Sequence, residues 1–460
     1  MLNKNEIENI LQIGLNKGFD FVELFFEEKK SNFLKIIDQE ISAYEQQYIF
    51  GLGIRLLKGV YQTYIYTNKV NYENIISLIE KQPSFDSQKN VKNIIILQNS
   101  LKINNNLKIP FERWNIHKKI NKMIKLSTIM KEYDRRIDKA IAILREEQQN
   151  VLIANSKGVY QKDFRPYIMC SMRAVAQDNQ SMEDFYDSEG RSLGLEFFNI
   201  VDLENKAKKI AQKAIMLLTA YSIKPQNMTV VINNGVGGVI FHEACGHSLE
   251  ATAVARNLSP FCNKIGQKIA SELVTAYDDG TIENAWGRSN FDDEGKKTQK
   301  NLLIENGILK SYLIDYRNSL KMKMKPTGSA RRESYRYSPT SRMNSTYIAS
   351  GKDNPEQIIK DTKYGLYAES FGGGTVIPAT GEFNFMMNSG YLIEEGKLTK
   401  LVKGMMIIGK GQDILLKIDR VGNDLQLSQG YCGSISGYVP VDLGQPTIRV
   451  QKIIVGGSKK

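Results

Sequence analysis

The chain has 460 residues, enough for two or three domains with cores of their own, and a composition ordinary for a globular protein. Its net charge of +12 invites a nucleic-acid reading, but the basic residues are spread along the chain. Their one modest concentration, His117-Lys-Lys-Ile-Asn-Lys-Met-Ile-Lys, has apolar residues at helical spacing and reads as a solvated helix face. No apolar run reaches the length of a membrane span, and Met1-Leu-Asn-Lys-Asn-Glu lacks a signal core. The four cysteines, Cys170, Cys245, Cys262 and Cys432, form no disulfide framework. A cytoplasmic protein with free thiols is expected, with neither nucleic acid nor membrane as partner.

In chain order, Asn5 to Asn16 has a helical face of Ile7, Ile10, Leu11 and Leu15, stopped at Gly18. Four β-type runs follow, 19–26, 33–41, 48–56 and 60–67, and then a helix over 72–80. The Asn- and Gln-rich stretch 82–106 reads as a loop holding one short strand, 91–97, ahead of an amphipathic helix over 111–133. From Ile137 the order repeats loosely, with strands near 139–147, 150–155, 159–160 and 168–177 and a helix over 203–220. Helix, antiparallel strands and helix, twice over, predict an α+β domain at 1–224 with an internal duplication.

A second domain, 225–460, is predicted to be β-rich and barrel-like or sandwich-like, carrying one motif helix. Leu302-Leu-Ile-Glu-Asn-Gly-Ile-Leu-Lys-Ser-Tyr-Leu and Tyr391-Leu-Ile-Glu-Glu-Gly-Lys-Leu-Thr-Lys-Leu-Val each read as a hairpin around a two-residue Gly turn. A short helix is expected at 357–363.

The motif is His242-Glu243-Ala-Cys245-Gly246-His247. It follows a buried strand, Met228-Thr-Val-Val-Ile-Asn-Asn, and a turn at Asn234-Gly-Val-Gly-Gly, and opens a helix predicted over 239–256. Two of the chain's three histidines flank one carboxylate here. Imidazole is a common zinc ligand, and an adjacent Glu can act as general base toward a metal-activated water. An i, i+5 spacing puts the two rings about 140° apart on an ideal helix, so a π-bulge or a helix that stops and restarts is required. Gly246 is a residue whose backbone could take that distortion.

A third protein ligand is needed. His117 lies among lysines, Cys170 in an apolar strand, Cys245 inside the motif and Cys262 in a loop. Cys432, in Gln429-Gly-Tyr-Cys-Gly-Ser-Ile-Ser-Gly, is only slightly favoured by its glycine setting, and a buried apolar role stays open for it. Asp278-Asp279-Gly and Asp292-Asp293-Glu-Gly have the form of turns, not of a second metal site. Arg331 and Arg332, beside Glu333 and Tyr335, read either as peptide-binding groups or as a structural ion pair. The Gly235 turn lacks the Lys-Ser/Thr of a phosphate loop.

His242-Glu-Ala-Cys-Gly-His-Ser-Leu-Glu resembles the His-Glu-x-x-x-His motif of the TldD/PmbA family of metallopeptidases, on the TldD side. Ala276-Tyr-Asp-Asp-Gly-Thr, Asp292-Asp-Glu-Gly, Pro326-Thr-Gly-Ser-Ala-Arg-Arg-Glu-Ser-Tyr, Gly381-Glu-Phe, Cys432-Gly and Gly444-Gln-Pro-Thr-Ile-Arg-Val resemble further family blocks, spread over 228–457. The resemblance implies Zn2+ held by His242, His247 and Cys432, with Glu243 catalytic. It implies a cytosolic peptidase for unfolded or flexible polypeptide, working as a heterodimer with a motif-less paralogue or as a homodimer. The competing expectation is a non-catalytic scaffold or processing subunit that keeps the motif as structure. Cys245 stands where the family usually has an aliphatic residue.

Overall fold

In the computed structural model, which describes residues 2–85, 94, 97–98, 107–377 and 379–457, the first half of the chain winds into one largely antiparallel sheet. Its strands run, from one edge, Tyr61–Thr67, Glu40–Lys58, Phe21–Ile37, Ile137–Asn155, Val159–Gln177 and Met182–Arg191. Two three-strand meanders thus meet along Phe21–Ile37 and Ile137–Asn155, the first strand of each. Helices Lys4–Asn16 and Tyr72–Glu80 cover one meander, where Ile7, Ile10, Leu11, Ile75 and Ile79 pack on Val22, Leu24, Leu52 and Ile54. Helices Ile116–Lys131 and Leu203–Leu217 cover the other, where Met123, Leu126, Ile210 and Ala214 pack on Leu144, Ile168 and Cys170. The apolar stripes read from the sequence are the faces that these helices bury.

The strands are longer and fewer than the runs of β-formers suggest. Most of the expected run 19–26 and the first part of 33–41 belong to one strand of 17 residues, Phe21–Ile37, that continues through Glu27-Glu-Lys-Lys. The hairpin turns at Asp38 and Gln39, both at positive φ, inside the second expected run. Likewise 139–155 and 159–177 are single strands. Pairing on both sides carries the backbone through polar stretches that local propensity rejects. The strand Met182–Arg191, with four acidic residues in Met-Glu-Asp-Phe-Tyr-Asp-Ser-Glu-Gly-Arg, is absent from the sequence expectation because local propensity rejects it, and it forms as an edge strand on Val159–Gln177. The helix expected over 111–133 begins at Ile116, because Asn115 accepts from the Lys118 N–H and caps it there. Of the strand expected at 91–97, most lies outside the described residues; Leu97–Gln98 runs parallel to Val159–Tyr160.

The second half builds a closed barrel of five strands: Gln226–Ile232, Tyr364–Ile377, Glu382–Glu394, Met405–Lys410 and Ile448–Gly457. Beside it lies a sheet ordered Ile308–Leu309, Lys300–Glu305, Ala276–Asp279, Ser345–Ile348, Gly437–Gln445, Gln426–Ser434. Both expected Gly-turn hairpins are present, turning at Asn306-Gly307 and Glu395-Gly396 with positive φ throughout, as is a short helix at Pro355–Lys360. Asp278 lies in a strand rather than in the expected turn. Its buried carboxylate accepts from the Asn344 N–H at 2.7 Å and Thr346 Oγ1 at 2.8 Å. The α+β reading with a β-barrel second part therefore describes the fold.

The helix-free face of the first sheet meets the second half through buried charges. Arg55, wholly buried, pairs with Glu294 and with Glu23, and Glu23 accepts from Arg332 at 2.7 Å. Arg165 pairs with Asp293 at 2.6 Å and with Asp163 at 3.1 Å. Burial, with the Asp315, Asp292 and Glu23 carboxylates nearby, outweighs Arg55 and holds Glu294 above the ordinary carboxylate range. A folded-state pKa above the unfolded value of about 4.3 means that the folded protein binds the extra proton, so stability from this group falls as pH rises above that value. Gln at 294 cannot titrate. Relative to wild type, Glu294→Gln is therefore expected to improve steadily in urea midpoint between pH 5 and pH 8; a constant difference between the two proteins refutes the assignment.

Candidate metal centre

The barrel strand Gln226–Ile232 feeds a tight turn at Gly235–Gly238, where the backbone passes so close to Gly444 that a Cβ on Gly238 would lie 2.5 Å from its nitrogen. A short α-turn, Val239–Phe241, leads into a π-helical turn, His242–Gly246, closed by the His247 N–H donating to the His242 carbonyl. That i→i+5 bond stacks residues five apart on one side of the turn. The spacing that defeats a regular helix is thereby the spacing that brings the rings together. The helix expected over 239–256 is accordingly interrupted: Glu250 is extended (ψ 130°), and helix resumes at Ala251–Val254. Gly246 has ordinary helical dihedrals, so its backbone absorbs no distortion. It is needed because a Cβ there would collide with Met343 Sδ.

Cys432 arrives from the edge strand Gln426–Ser434. Its Sγ lies 3.3 Å from His242 Nε2 and 3.2 Å from His247 Nε2. The two rings are nearly perpendicular (86°), and one donor atom from each of the three residues lies within 4.8 Å of the others. An ion bonded at about 2.0–2.1 Å to nitrogen and about 2.3 Å to sulfur allows at most about 4.4 Å between such atoms. Both sulfur–nitrogen distances satisfy that limit. Burial alone would raise the Cys432 thiol, but the two imidazoles outweigh it and hold the thiol well below its ordinary value. Burial likewise opposes charge on His247, and the Glu250 carboxylate and the Cys432 sulfur overcome it, raising that imidazole well above its usual range. One thiolate and two imidazole nitrogens are a donor set suited to zinc.

Two supports escape sequence reasoning. Glu250 Oε2 lies 3.3 Å from His247 Nδ1, the second-shell carboxylate that orients a ligating imidazole. Its i+3 spacing from His247 was the available signal. Arg342, wholly buried, reaches Glu250 at 3.7 Å and donates to Ser436 Oγ (3.1 Å), to the Gly437 carbonyl (2.9 Å) and to the Cys432 carbonyl. Nothing in the sequence pattern marks it.

Glu243 sits on the open side, with Oε2 3.5 Å from His247 Nε2 and a side chain that keeps 27 % exposure. The other candidates are elsewhere. Cys245 is buried in the barrel core, where burial raises its thiol, and burial pushes Cys170 up to about 12. Cys262 contacts the Val254 carbonyl, and His117 is exposed on its helix. Arg332 is the structural ion pair, and Tyr335 is buried with its N–H on Glu27 at 2.7 Å.

Three family models cover the chain: PmbA/TldA metallopeptidase domain 1 at 22–82, the central domain at 109–218 and the C-terminal domain at 225–457. The chain belongs to the PmbA/TldD metallopeptidase family. The first two models fall on the two meanders of the N-terminal sheet, and the third spans the barrel and the metal centre. Among its relatives in the family, the "Metalloprotease TldD homolog" of Haemophilus influenzae is 33% identical, over 99% of this chain and 97% of that one. A metalloprotease of Methanocaldococcus jannaschii is 32% identical over 98% of this chain and 99% of its own. In fold, the chain matches TldE from Thermococcus kodakarensis with a TM-score of 0.75, 19% identity, and coverage of 98% and 100% of the two chains. It also matches a Thermotoga maritima protein described as a candidate modulator of a DNA gyrase, with a TM-score of 0.78 and 20% identity over 98% of this chain and 100% of that one. Among the described residues no helix is long and apolar enough to cross a membrane.

Proposed function

We propose that this family member is a zinc-dependent peptidase that hydrolyses peptide bonds in unfolded or flexible polypeptide, with His242, His247 and Cys432 as metal ligands and Glu243 as general base. The observation that carries the reading is the meeting of His242, His247 and Cys432, from a π-helical turn and a strand 185 residues beyond His247, around one point. Zinc, when bound, supplies Lewis-acid activation of the water and of the scissile carbonyl. The protein's part is to hold and move protons. Glu243 takes the proton of the attacking water on its carboxylate and returns it to the leaving nitrogen. Glu250 fixes His247 through Nδ1, so that Nε2 is the donor.

Substrate geometry follows from the strand that carries Cys432. Among the described residues Gln426–Ser434 is paired on one side only, by Gly437–Gln445. Its free edge offers backbone hydrogen bonds to an extended chain, which suits varied sequences and rejects folded ones. The same reading divides the chain at 224/225, with a duplicated N-terminal unit. It places the protein in the cytoplasm, where four unbridged cysteines are at home, and pairs it with a motif-less relative or with itself.

Glu243→Gln is the deciding experiment. Hydrolysis of an unfolded protein substrate is expected to fall about 100- to 10,000-fold while zinc content stays at the wild-type level. Unchanged turnover would leave the motif a structural feature of a non-catalytic subunit.

A further inference from the structure

Behind the Cys432 hairpin, between it and the N-terminal sheet, lies a cavity of about 380 Å³. Its lining carries five basic side chains against three acidic ones. The acids are already engaged: Asp293 with Arg165 at 2.6 Å, Glu147 with Lys29 at 3.6 Å, and Glu333 with the Tyr438 N–H at 2.8 Å. Of the remaining bases Arg332 is paired with Glu23. That leaves two arginines. Arg145 has a ring contact with Phe33 but, among the described residues, no carboxylate within 4.0 Å.

Arg331 is the telling one. Its side chain is buried (6 % exposed) and donates to the Met343 carbonyl at 2.8 Å, yet among the described residues no carboxylate lies within 4.0 Å of it. Burial pulls its guanidinium below the usual arginine range. The nearby carboxylates Asp293 and Asp278 act on it only from beyond ion-pair distance, so its charge is incompletely compensated and an anion that reaches it is favoured. Tyr167, on the same wall, is pushed up to about 12 by burial and so remains an O–H donor at neutral pH.

The position gives the anion an identity. Tyr431 lines the cavity and precedes Cys432, and successive residues of a strand face opposite sides. The cavity thus lies on the opposite side of the hairpin from the metal centre. An extended chain added to the free edge of Gln426–Ser434 sends alternate side chains to each side. We propose that this cavity binds a carboxylate of the polypeptide substrate, and so gives the enzyme a preference for chains bearing one near the scissile bond. This rests on the strand-addition reading given above. The carboxylate can come from an Asp or Glu side chain or from the C-terminus of the peptide, and the chemistry at Arg331 is the same.

The test uses the full-length zinc-loaded Glu243→Gln protein and three fluorescent peptides of one length. One has Gln and an amidated end, one has Glu with the amidated end, and one has Gln with a free C-terminal carboxylate. Anisotropy titration is expected to show at least one carboxylate peptide binding about tenfold more tightly than the neutral one, with the difference shrinking as salt is raised. Which peptide gains identifies the source of the carboxylate. Arg331→Gln is expected to abolish the difference, and Arg145→Gln, at an exposed position, to reduce it. Equal binding of all three peptides, or discrimination that survives Arg331→Gln, overturns the proposal. If Arg331→Gln does not fold, the peptide comparison and Arg145→Gln decide it. Hydrolysis by wild type with no charge discrimination sinks the pocket alone; discrimination without any hydrolysis sinks the peptidase reading alone.

Discussion

Cys432→Ser is expected to leave the protein folded and essentially without zinc. The hairpin that carries residue 432 is held by its own ladder and by Arg342, neither of which involves the sulfur, so the substitution acts on the donor set alone. A serine hydroxyl stays protonated at neutral pH, whereas the imidazoles hold the Cys432 sulfur toward thiolate. Loss of an outer-shell partner typically weakens metal binding about 10- to 100-fold, and loss of a ligand exceeds that. Chelator competition should therefore show zinc affinity down by more than about 100-fold. Metal analysis of purified protein should fall from near one equivalent to a small fraction, with His247→Ala behaving alike. Cys245→Ser, although only two residues from His247, is expected to keep its zinc, because that thiol is buried in the barrel core and outside the donor cluster. Full zinc in the Cys432→Ser protein would remove the third ligand and with it the proposed chemistry.

The parts of this centre that could be read from the chain are those that follow from chemistry at short range. Two imidazoles around a carboxylate announce a metal, and their i, i+5 spacing demands a break in the helix; the π-turn at His242–Gly246 is that break. The requirement at Gly246 is not legible in the same way, because dihedral freedom is visible in a sequence and a collision with Met343 is not. Helices with clean apolar stripes, such as Tyr72–Glu80, fall where the pattern puts them. Strands do not, because Phe21–Ile37 and Ile137–Asn155 are prolonged through charged residues by neighbours that become neighbours only on folding. The same holds for charge. Arg332 and Arg331 are adjacent in sequence, yet one pairs with Glu23 from the first sheet and the other, among the described residues, has no carboxylate within 4.0 Å.

Arg342 is where sequence offers least and the expected effect on stability is largest. Its guanidinium joins the hairpin of Cys432 to Glu250, and Glu250 holds His247, so one side chain fixes the relative position of ligands 185 residues apart. Arg342→Met keeps much of the volume but leaves the nearly buried Glu250 carboxylate facing no cation from that side. Removing one partner of a buried pair costs about 3–5 kcal/mol. The urea transition of the second half is expected to shift by that amount, and zinc affinity by about 10- to 100-fold, with every ligand still present. A merely structural role predicts the first change without the second. Arg342→Met combined with Glu250→Gln separates the contributions: stability should partly recover, since no uncompensated charge remains, whereas zinc affinity should not, since His247 has lost the carboxylate that orients it. Recovery of both together would mean that Arg342 acts on the metal centre only through the charge of Glu250, and recovery of neither that its hydrogen bonds to the hairpin carry the effect.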